Sequence, residues 1–369
     1  MEFLPSDEAL RLANSSYYRQ KGRRIYKDFS TVVKCCPLVA QADALDFVQR
    51  RQGRGGERQK LEIYEFGTGD GTFAFDFLDD VKKQNKGIYS RMDYTLCDIS
   101  AKLLRETMES ERARRHLGRL HKLETDAAGE FSFSADYVRS NELYDDLPAK
   151  LLVLKKGRVY EVFLAAAEAG EEVRKKMCET GGEFPQAFIK MLLRCEGREL
   201  VYNFGALAHL RNAMRALKKG GWVDIYDYGY ADVSEAEETP PEIWNAGTVR
   251  EYGAHSAQGG MAPLSQRSGK EGGQLTVDVN FALLREEAEK CGCKVTVEPV
   301  SGRLEEIFGR KFTYVDFVAG GKGRWVGYVD AEGLKARRAE LKKAGYSEEF
   351  LRGEAEEEDC YLHMRAEKI

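Results

Sequence analysis

Residues able to do chemistry gather in three acid-bearing stretches of this chain. The first reads Tyr64-Glu65-Phe66-Gly67-Thr68-Gly69-Asp70-Gly71-Thr72. A β-type run over 61–66 ends in the acid Glu65, glycines follow at alternate positions, and Phe73, Phe77 and Leu78 recur at helical spacing. The pattern predicts strand, glycine turn and helix, with backbone N–H groups that a ligand can approach closely. A Cβ in the turn would block both the bend and the approach. Thr72 stands where a dinucleotide fingerprint has its third glycine, and a carboxylate at Glu65 suits a pyrophosphate poorly. An acid there fits a ligand carrying positive charge, as S-adenosylmethionine does in its ammonium and sulfonium groups.

The second stretch is Asp98-Ile99-Ser100, at the end of a predicted strand over Met92–Cys97. An acid at that place accepts the two hydroxyls of an adenosine ribose. It could instead cap the next helix, with Ser100 as the alternative cap. Leu120–Leu123 reads as a third strand with Asp126 after it, and Ala135–Val138 as a fourth. The fourth runs into the third stretch, Asn141-Glu142-Leu143-Tyr144-Asp145-Asp146-Leu147-Pro148. Acids and an amide thus stand at a strand's carboxyl end, where open α/β sheets bind ligands. On composition alone they would also suit a solvated acidic turn.

The elements that must position these residues alternate between strand and helix. Residues 1–50 read as mostly helical, with Ala9–Asn14 and Pro37–Gln49 as the candidate helices, forming a cap or lid. Lys102–Leu117 reads as one helix, Leu151–Leu154 with Val159–Phe163 as a hairpin, and 165–200 as a charged, mostly helical insertion. Leu207–Leu217 reads as a helix and Trp222–Tyr226 as a strand, with 231–275 as a long irregular loop. A helix to about Lys290, a strand at Lys294–Val297, a charged helical region over 331–358 and a final edge strand at Tyr361–Arg365 complete the chain. The expected division is 1–56 as cap, 57–147 as a cofactor-binding half, 148–205 as a substrate-side insertion and 206–369 as the second half. The alternation predicts an α/β fold with a mostly parallel, doubly wound sheet.

With 369 residues, of which 43% are hydrophobic, the chain can bury a large core. A net charge of -4 gives no strong field to draw nucleic acid or anionic membrane. No run reaches the roughly 20 apolar residues of a membrane span. The N-terminal residues lack the pattern of a secretory signal or transit peptide, which makes cytoplasmic location the expectation. Eight cysteines and five histidines show no metal-ligand spacing, so no metal is expected and the thiols read as free.

Together these residues resemble the MidA-like methyltransferases, which include the mitochondrial arginine methyltransferases that assist respiratory complex I assembly. The resemblance is carried by Tyr17-Tyr18, Asp28–Thr31, Glu65–Thr72, Asn141–Pro148, Gly220-Gly221, Asp227–Tyr230, Thr248–Tyr252 with His255, and Leu275-Thr276 with Phe281. Lys27, Asp278 and Asn280 depart from the family pattern. The resemblance implies a Rossmann-like class I methyltransferase, with a seven-stranded, mostly parallel sheet and helical and β-hairpin insertions. It implies that S-adenosyl-L-methionine is the cofactor and S-adenosylhomocysteine the product. Glu65, Gly67, Thr68, Gly69, Gly71, Asp98, Ile99, Asp126 and Asn141 would bind the cofactor. Asn141, Glu142, Asp145 and Asp146 would act in catalysis, with Glu142 gripping the acceptor. Asp28, Thr31, Tyr228, Arg250 and His255 would meet the substrate, expected to be an arginine on a partner protein. A small-molecule methyltransferase, another protein methyltransferase and a non-catalytic assembly factor that binds the cofactor are the alternatives.

Overall fold

A computed structural model of the chain describes residues 3–21, 31–52, 59–165, 174–252, 274–319, 323–343, 345 and 359–369. Its centre is a sheet whose main path has seven strands: β1 (Leu61–Phe66), β2 (Met92–Asp98), β3 (Leu120–Glu124), β4 (Ala135–Asn141), β5 (Leu217–Tyr230), β6 (Cys293–Pro299) and β7 (Tyr361–Lys368). Their spatial order is β3-β2-β1-β4-β5-β7-β6. The first five are parallel, and β7 runs antiparallel to both β5 and β6. The short strand Val279–Asn280 joins alongside β5. The strand order reverses between β1 and β4, so a crevice forms outside their carboxyl ends. β4 is buried at every position, as a parallel strand covered on both faces must be.

Helices α1 (Leu38–Arg51), α2 (Thr72–Gln84) and α6 (Val300–Phe308) cover one face, where Phe47, Phe77, Val81 and Leu304 meet Ile63 and Tyr94. Helices α4 (Phe204–Ala216) and α5 (Phe281–Lys290) cover the other, with Leu207, Leu210 and Leu284 against Val138 and Val223. Between β2 and β3, Ser100 accepts the N–H of Leu103 and opens α3 (Ala101–Met108). The single helix expected over Lys102–Leu117 is in fact two. Ser110 accepts the N–H of Ala113 and starts a short second helix, because a serine side chain competes for backbone donors better at a cap than inside a helix.

The insertion is not mostly helical. Lys150–Lys155, Arg158–Ala165, Arg174–Glu179 and Glu199–Tyr202 are strands of one antiparallel sheet, with Gln186–Arg194 its helix. Phe3–Pro5 adds a strand to that sheet, and Leu10 of the helix Ser6–Lys21 packs on its inner face. Part of the expected irregular loop is regular: Val249–Tyr252 pairs with Gln274–Val277, after short helices at Ser234–Glu238 and Pro241–Gly247. A hairpin of Thr313–Ala319 and Gly323–Val329 was not foreseen. The last strand is no edge strand either. It lies between β5 and β6 and extends to Lys368, which its alternation of Leu362, Met364 and Ala366 with charged residues had disguised. No helix of the described residues is long and apolar enough to cross a membrane.

Charge runs through this core. Arg139 on β4 is wholly buried, 2.7 Å from Glu65 on β1, with Asp43 of α1 at 3.9 Å and the ring of Phe73 beneath its guanidinium. Asp43 also pairs with Arg303 of α6 at 2.7 Å and accepts from Tyr137 and Tyr226. Next door, Arg365 of β7 joins Asp46 of α1 and makes a bidentate pair with Asp224 of β5. Removing one partner from such a set strands the others in a low dielectric. Arg139→Met should therefore lower unfolding free energy by about 3–5 kcal/mol in urea titrations. A midpoint equal to wild type would show that Glu65 and Asp43 do not depend on it.

Candidate active site

The glycine turn links β1 to α2, and all three of its glycines take positive φ: 67° at Gly67, 53° at Gly69 and 78° at Gly71. L side chains are strained there, so the sequence folds this way only with glycine. A Cβ at Gly71 would stand 2.7 Å from Thr107, and one at Gly67 would stand 3.2 Å from Leu143. Asp70 accepts from the backbone and hydroxyl of Thr72, closing a turn just before α2, whose N-cap is Gly71. Thr68 is buried, and its hydroxyl has no hydrogen-bond partner among the described residues. A buried hydroxyl left open inside a glycine turn fits a site that a polar ligand completes.

Glu65 is turned into the protein. It is 3% exposed; one oxygen faces Arg139 and the other accepts from Tyr94 at 2.8 Å. Burial pushes its carboxyl above the usual range while Arg139 pulls it down. Its charge is thus answered inside the protein, and it anchors the strand end behind the turn.

Asp98 sits half-buried at the end of β2. Its carboxylate accepts from Ser100 N–H at 2.8 Å and is drawn on by the Gly69 and Ile99 amides. It does not cap α3, since Ser100 does. Burial pushes its carboxyl up to about 6. Ile99 beside it is 62% exposed, an apolar side chain at the ligand edge. Thr125 donates to the Asp98 carbonyl, which brings the third strand's end alongside, and Asp126 there accepts from Ala128 to close a turn.

The stretch after β4 is the most constrained part of the edge. Glu142 has φ of 45°, one of two non-glycine residues with positive φ among those described. Asp227, at the same edge on β5 and wholly buried, accepts the N–H groups of Leu143, Tyr144 and Asp145 at 3.1, 2.8 and 3.3 Å. It also accepts from Tyr228 N–H. Burial and the nearby Glu142 carboxylate push the Asp227 carboxyl well above the usual range. Glu142 in turn accepts from Val32 N–H at 2.9 Å and from the Asn141 amide at 3.3 Å. The Asn141 carbonyl oxygen accepts from Tyr361 at 2.6 Å. Asp146 accepts from Asn14 of the first helix, and Asp145 is buried.

The edge therefore gathers the glycine turn, Asp98, Asn141 and Glu142, with Leu143 against Gly67 joining the two halves. Thr31 comes beside them, capping the short helix Val32–Cys35 through Lys34 N–H. Tyr228 is close by, its ring 4.8 Å from that of Tyr361. Arg250 lies on a strand paired to 276, and nothing further is described of its side chain. Asp28 and His255 fall outside the described residues. Three contributors were not picked from sequence. Asp227 was visible as an acid ending a strand, and Arg139 as a lone cation in an apolar one. Tyr361 carried no signal, because only sheet register brings it here.

Residues 44–298 match the family of S-adenosyl-L-methionine-dependent methyltransferases. Among solved structures, a superfamily member from Burkholderia thailandensis bound to S-adenosyl-homocysteine aligns with 99% of this chain and 88% of its own, at TM-score 0.65 and 17% identity. The native structure of an uncharacterized superfamily protein of that organism aligns over 99% and 87%, at TM-score 0.61 and 19% identity. Likeness at these identities concerns the fold. No curated protein matches the chain.

Two outcomes follow for the turn and for Asp98. Gly69→Val should abolish binding of S-adenosylhomocysteine in calorimetry while the rest of the chain stays folded, because a side chain at φ 53° distorts the turn and would occupy the space expected for the ligand. For Asp98 in the role expected of it, ribose hydroxyls would donate to the carboxylate and a proton would compete with them. Affinity should weaken as pH falls through about 6. The ligand-free fold has the opposite slope: a raised carboxyl pKa adds stability below the unfolded value and loses it as pH rises through the folded one. Asp98→Asn should flatten the affinity profile, and a wild-type affinity that is level from pH 5 to pH 7 would remove Asp98 from the ribose.

Proposed function

The chain belongs to the S-adenosyl-L-methionine-dependent methyltransferase family that residues 44–298 match, the MidA-like group its motifs resemble, and from there we propose that it methylates an arginine of a partner protein, as a respiratory-complex assembly methyltransferase does. The bound cofactor supplies an electrophilic methyl carbon on a sulfonium. The Gly67–Gly71 turn with Thr68 would hold its methionine end, Asp98 its ribose hydroxyls, and Ile99 and Asp126 its adenine. Glu65 acts from behind, fixing the strand end from which the turn starts.

A guanidinium is always protonated and delocalised, so it is a poor nucleophile until it is held and polarised. A carboxylate does both through charge-assisted hydrogen bonds, and alignment at roughly 3–3.5 Å does the rest. Glu142 is the residue for that task. The observation that carries this reading is its left-handed backbone at the ligand edge, held there by Asp227. Strained conformations of this kind persist where the surrounding structure over-determines them, and they cluster at functional sites. Asn141 orients the Glu142 carboxylate, and Asp145 and Asp146 add negative charge to the same loop. Thr31, Tyr228, Arg250, Asp28 and His255 would face the acceptor protein.

The test uses methyl-labelled S-adenosyl-L-methionine in lysate of the protein's own host, followed by identification of the labelled band and residue. Glu142→Gln keeps shape and removes charge. Single-turnover transfer should drop about 10²–10³-fold, the scale of one lost preorganised electrostatic contact, with cofactor affinity nearly intact. Equal rates for both proteins would end the reading, and label in a small molecule would move the acceptor to another class.

A further inference from the structure

Tyr361 opens β7, and the antiparallel run of that strand carries its first residue to the edge where the parallel strands end. Sheet register sets the position: Tyr361 pairs with Tyr228 of β5, and Tyr226 of β5 pairs with Asn141 of β4. The phenol is completely buried. Its hydroxyl donates to Asn141 Oδ1 at 2.6 Å, Asn141 Nδ2 donates to Glu142 Oε1 at 3.3 Å, and Val32 N–H donates to the same carboxylate oxygen at 2.9 Å.

The direction of this chain follows from the groups in it. A primary amide has one accepting and one donating end, whereas an ionised carboxylate only accepts. Asn141 must therefore turn its nitrogen to Glu142; the other way round, two oxygens would face each other at that distance. Its carbonyl oxygen is then left needing a donor, and the Tyr361 hydroxyl supplies one. Burial, with the Glu142 and Asp227 carboxylates near it, pushes the phenol's pKa well above the usual value, so the proton stays in place to be donated. Bonds in series polarise one another, which strengthens the amide's hold on the carboxylate. On its other side the Tyr361 ring packs against Tyr228, whose hydroxyl meets that of Tyr314 at 3.2 Å. Of these residues, Val32, Tyr314 and Tyr361 lie outside residues 44–298, the span of the family match.

We propose that Tyr361 is a positioning residue for methyl transfer, holding the Asn141 amide in the orientation that aims the Glu142 carboxylate. The inference rests on the reading of Glu142 given above. Tyr361→Phe keeps the ring and removes only the donor. Its affinity for S-adenosylhomocysteine should match wild type and the chain should stay folded. Single-turnover transfer of labelled methyl, with host lysate as the source of acceptor, should fall about fivefold to tenfold, the scale of one neutral hydrogen bond. In a Glu142→Gln background the same change should cause no further loss. Tyr328→Phe removes another buried phenol donor, which bonds Asp359 at 2.8 Å, and should transfer at the wild-type rate. Normal transfer by Tyr361→Phe beside a slow Glu142→Gln overturns the positioning role and leaves the Glu142 reading standing. Losses that add in the double variant overturn it too, by assigning the effect to general damage. A Glu142→Gln protein as fast as wild type removes the clamp and the inference with it.

Discussion

Arg139 is the residue on which the sheet depends. It lies in the middle of β4, completely buried, with Glu65 on the neighbouring strand and Asp43 on the covering helix. A guanidinium in that place is tolerable only if its charge is matched. Glu65 and Asp43 do this, and Asp43 in turn needs Arg303. The second group, Asp46, Arg365, Asp224 and His363, meets the first through Asp46, which lies 3.6 Å from Arg303. Such a chain of charges has few other arrangements that leave none stranded. It therefore selects one pairing of β1 with β4 and one seat for α1. An apolar core of equal volume could be as stable and still allow the strands to slip.

The same logic operates once more at the ligand edge, with backbone donors in place of guanidinium groups. Asp227 ends its run on β5 under the loop that follows β4, and it gathers three successive N–H groups from that loop. Consecutive amides converge on one acceptor only if the residue before them takes a left-handed turn, which is what Glu142 does. The strain, of order 1–3 kcal/mol, is offset by satisfying amides that would otherwise be buried without partners. Leu143, in the same loop, rests against Gly67. The turn expected to hold the cofactor and the loop expected to hold the acceptor are thereby set in register with each other.

The sequence made the order of strands and helices legible because the glycine turn, the acids at strand ends and the period changes are local signals. A mostly parallel doubly wound sheet followed from them, and the resemblance to the methyltransferase family implied its seven strands. What stayed hidden depends on distance in sequence. Nothing near Tyr361 says that β7 enters between β5 and β6, because an interior antiparallel strand with buried charges reads like an edge strand. Arg174–Glu179 was read as part of a helical stretch because its lysines and arginine favour helix weakly, while pairing with Arg158–Ala165 decides the matter. Asp98 could have met a ribose or capped α3, with Ser100 the alternative cap, until geometry gave the capping bond to Ser100. Glu65 looked like a ligand residue because its partner Arg139 lies 74 positions away.

That last case bears on how the motif works. An acid just before a glycine turn invites the idea of direct contact with a cation on the ligand. Here the acid faces a protein cation, so the field at the turn is that of a neutral pair together with the N–H groups of the turn and the start of α2. Farther along the edge stand the carboxylates of Asp98, Glu142, Asp145 and Asp146, where Asp98 accepts from Ser100 N–H and Glu142 from Val32 N–H. The arrangement divides labour by position. Charges deep in the sheet are matched by opposite charges and fix geometry, and at its rim backbone and amide donors orient the carboxylates. At that rim Val32 N–H and the Asn141 amide donate to the Glu142 carboxylate, and Tyr361 donates to Asn141 in turn, so register across three strands and a helix start sets the aim of one acid.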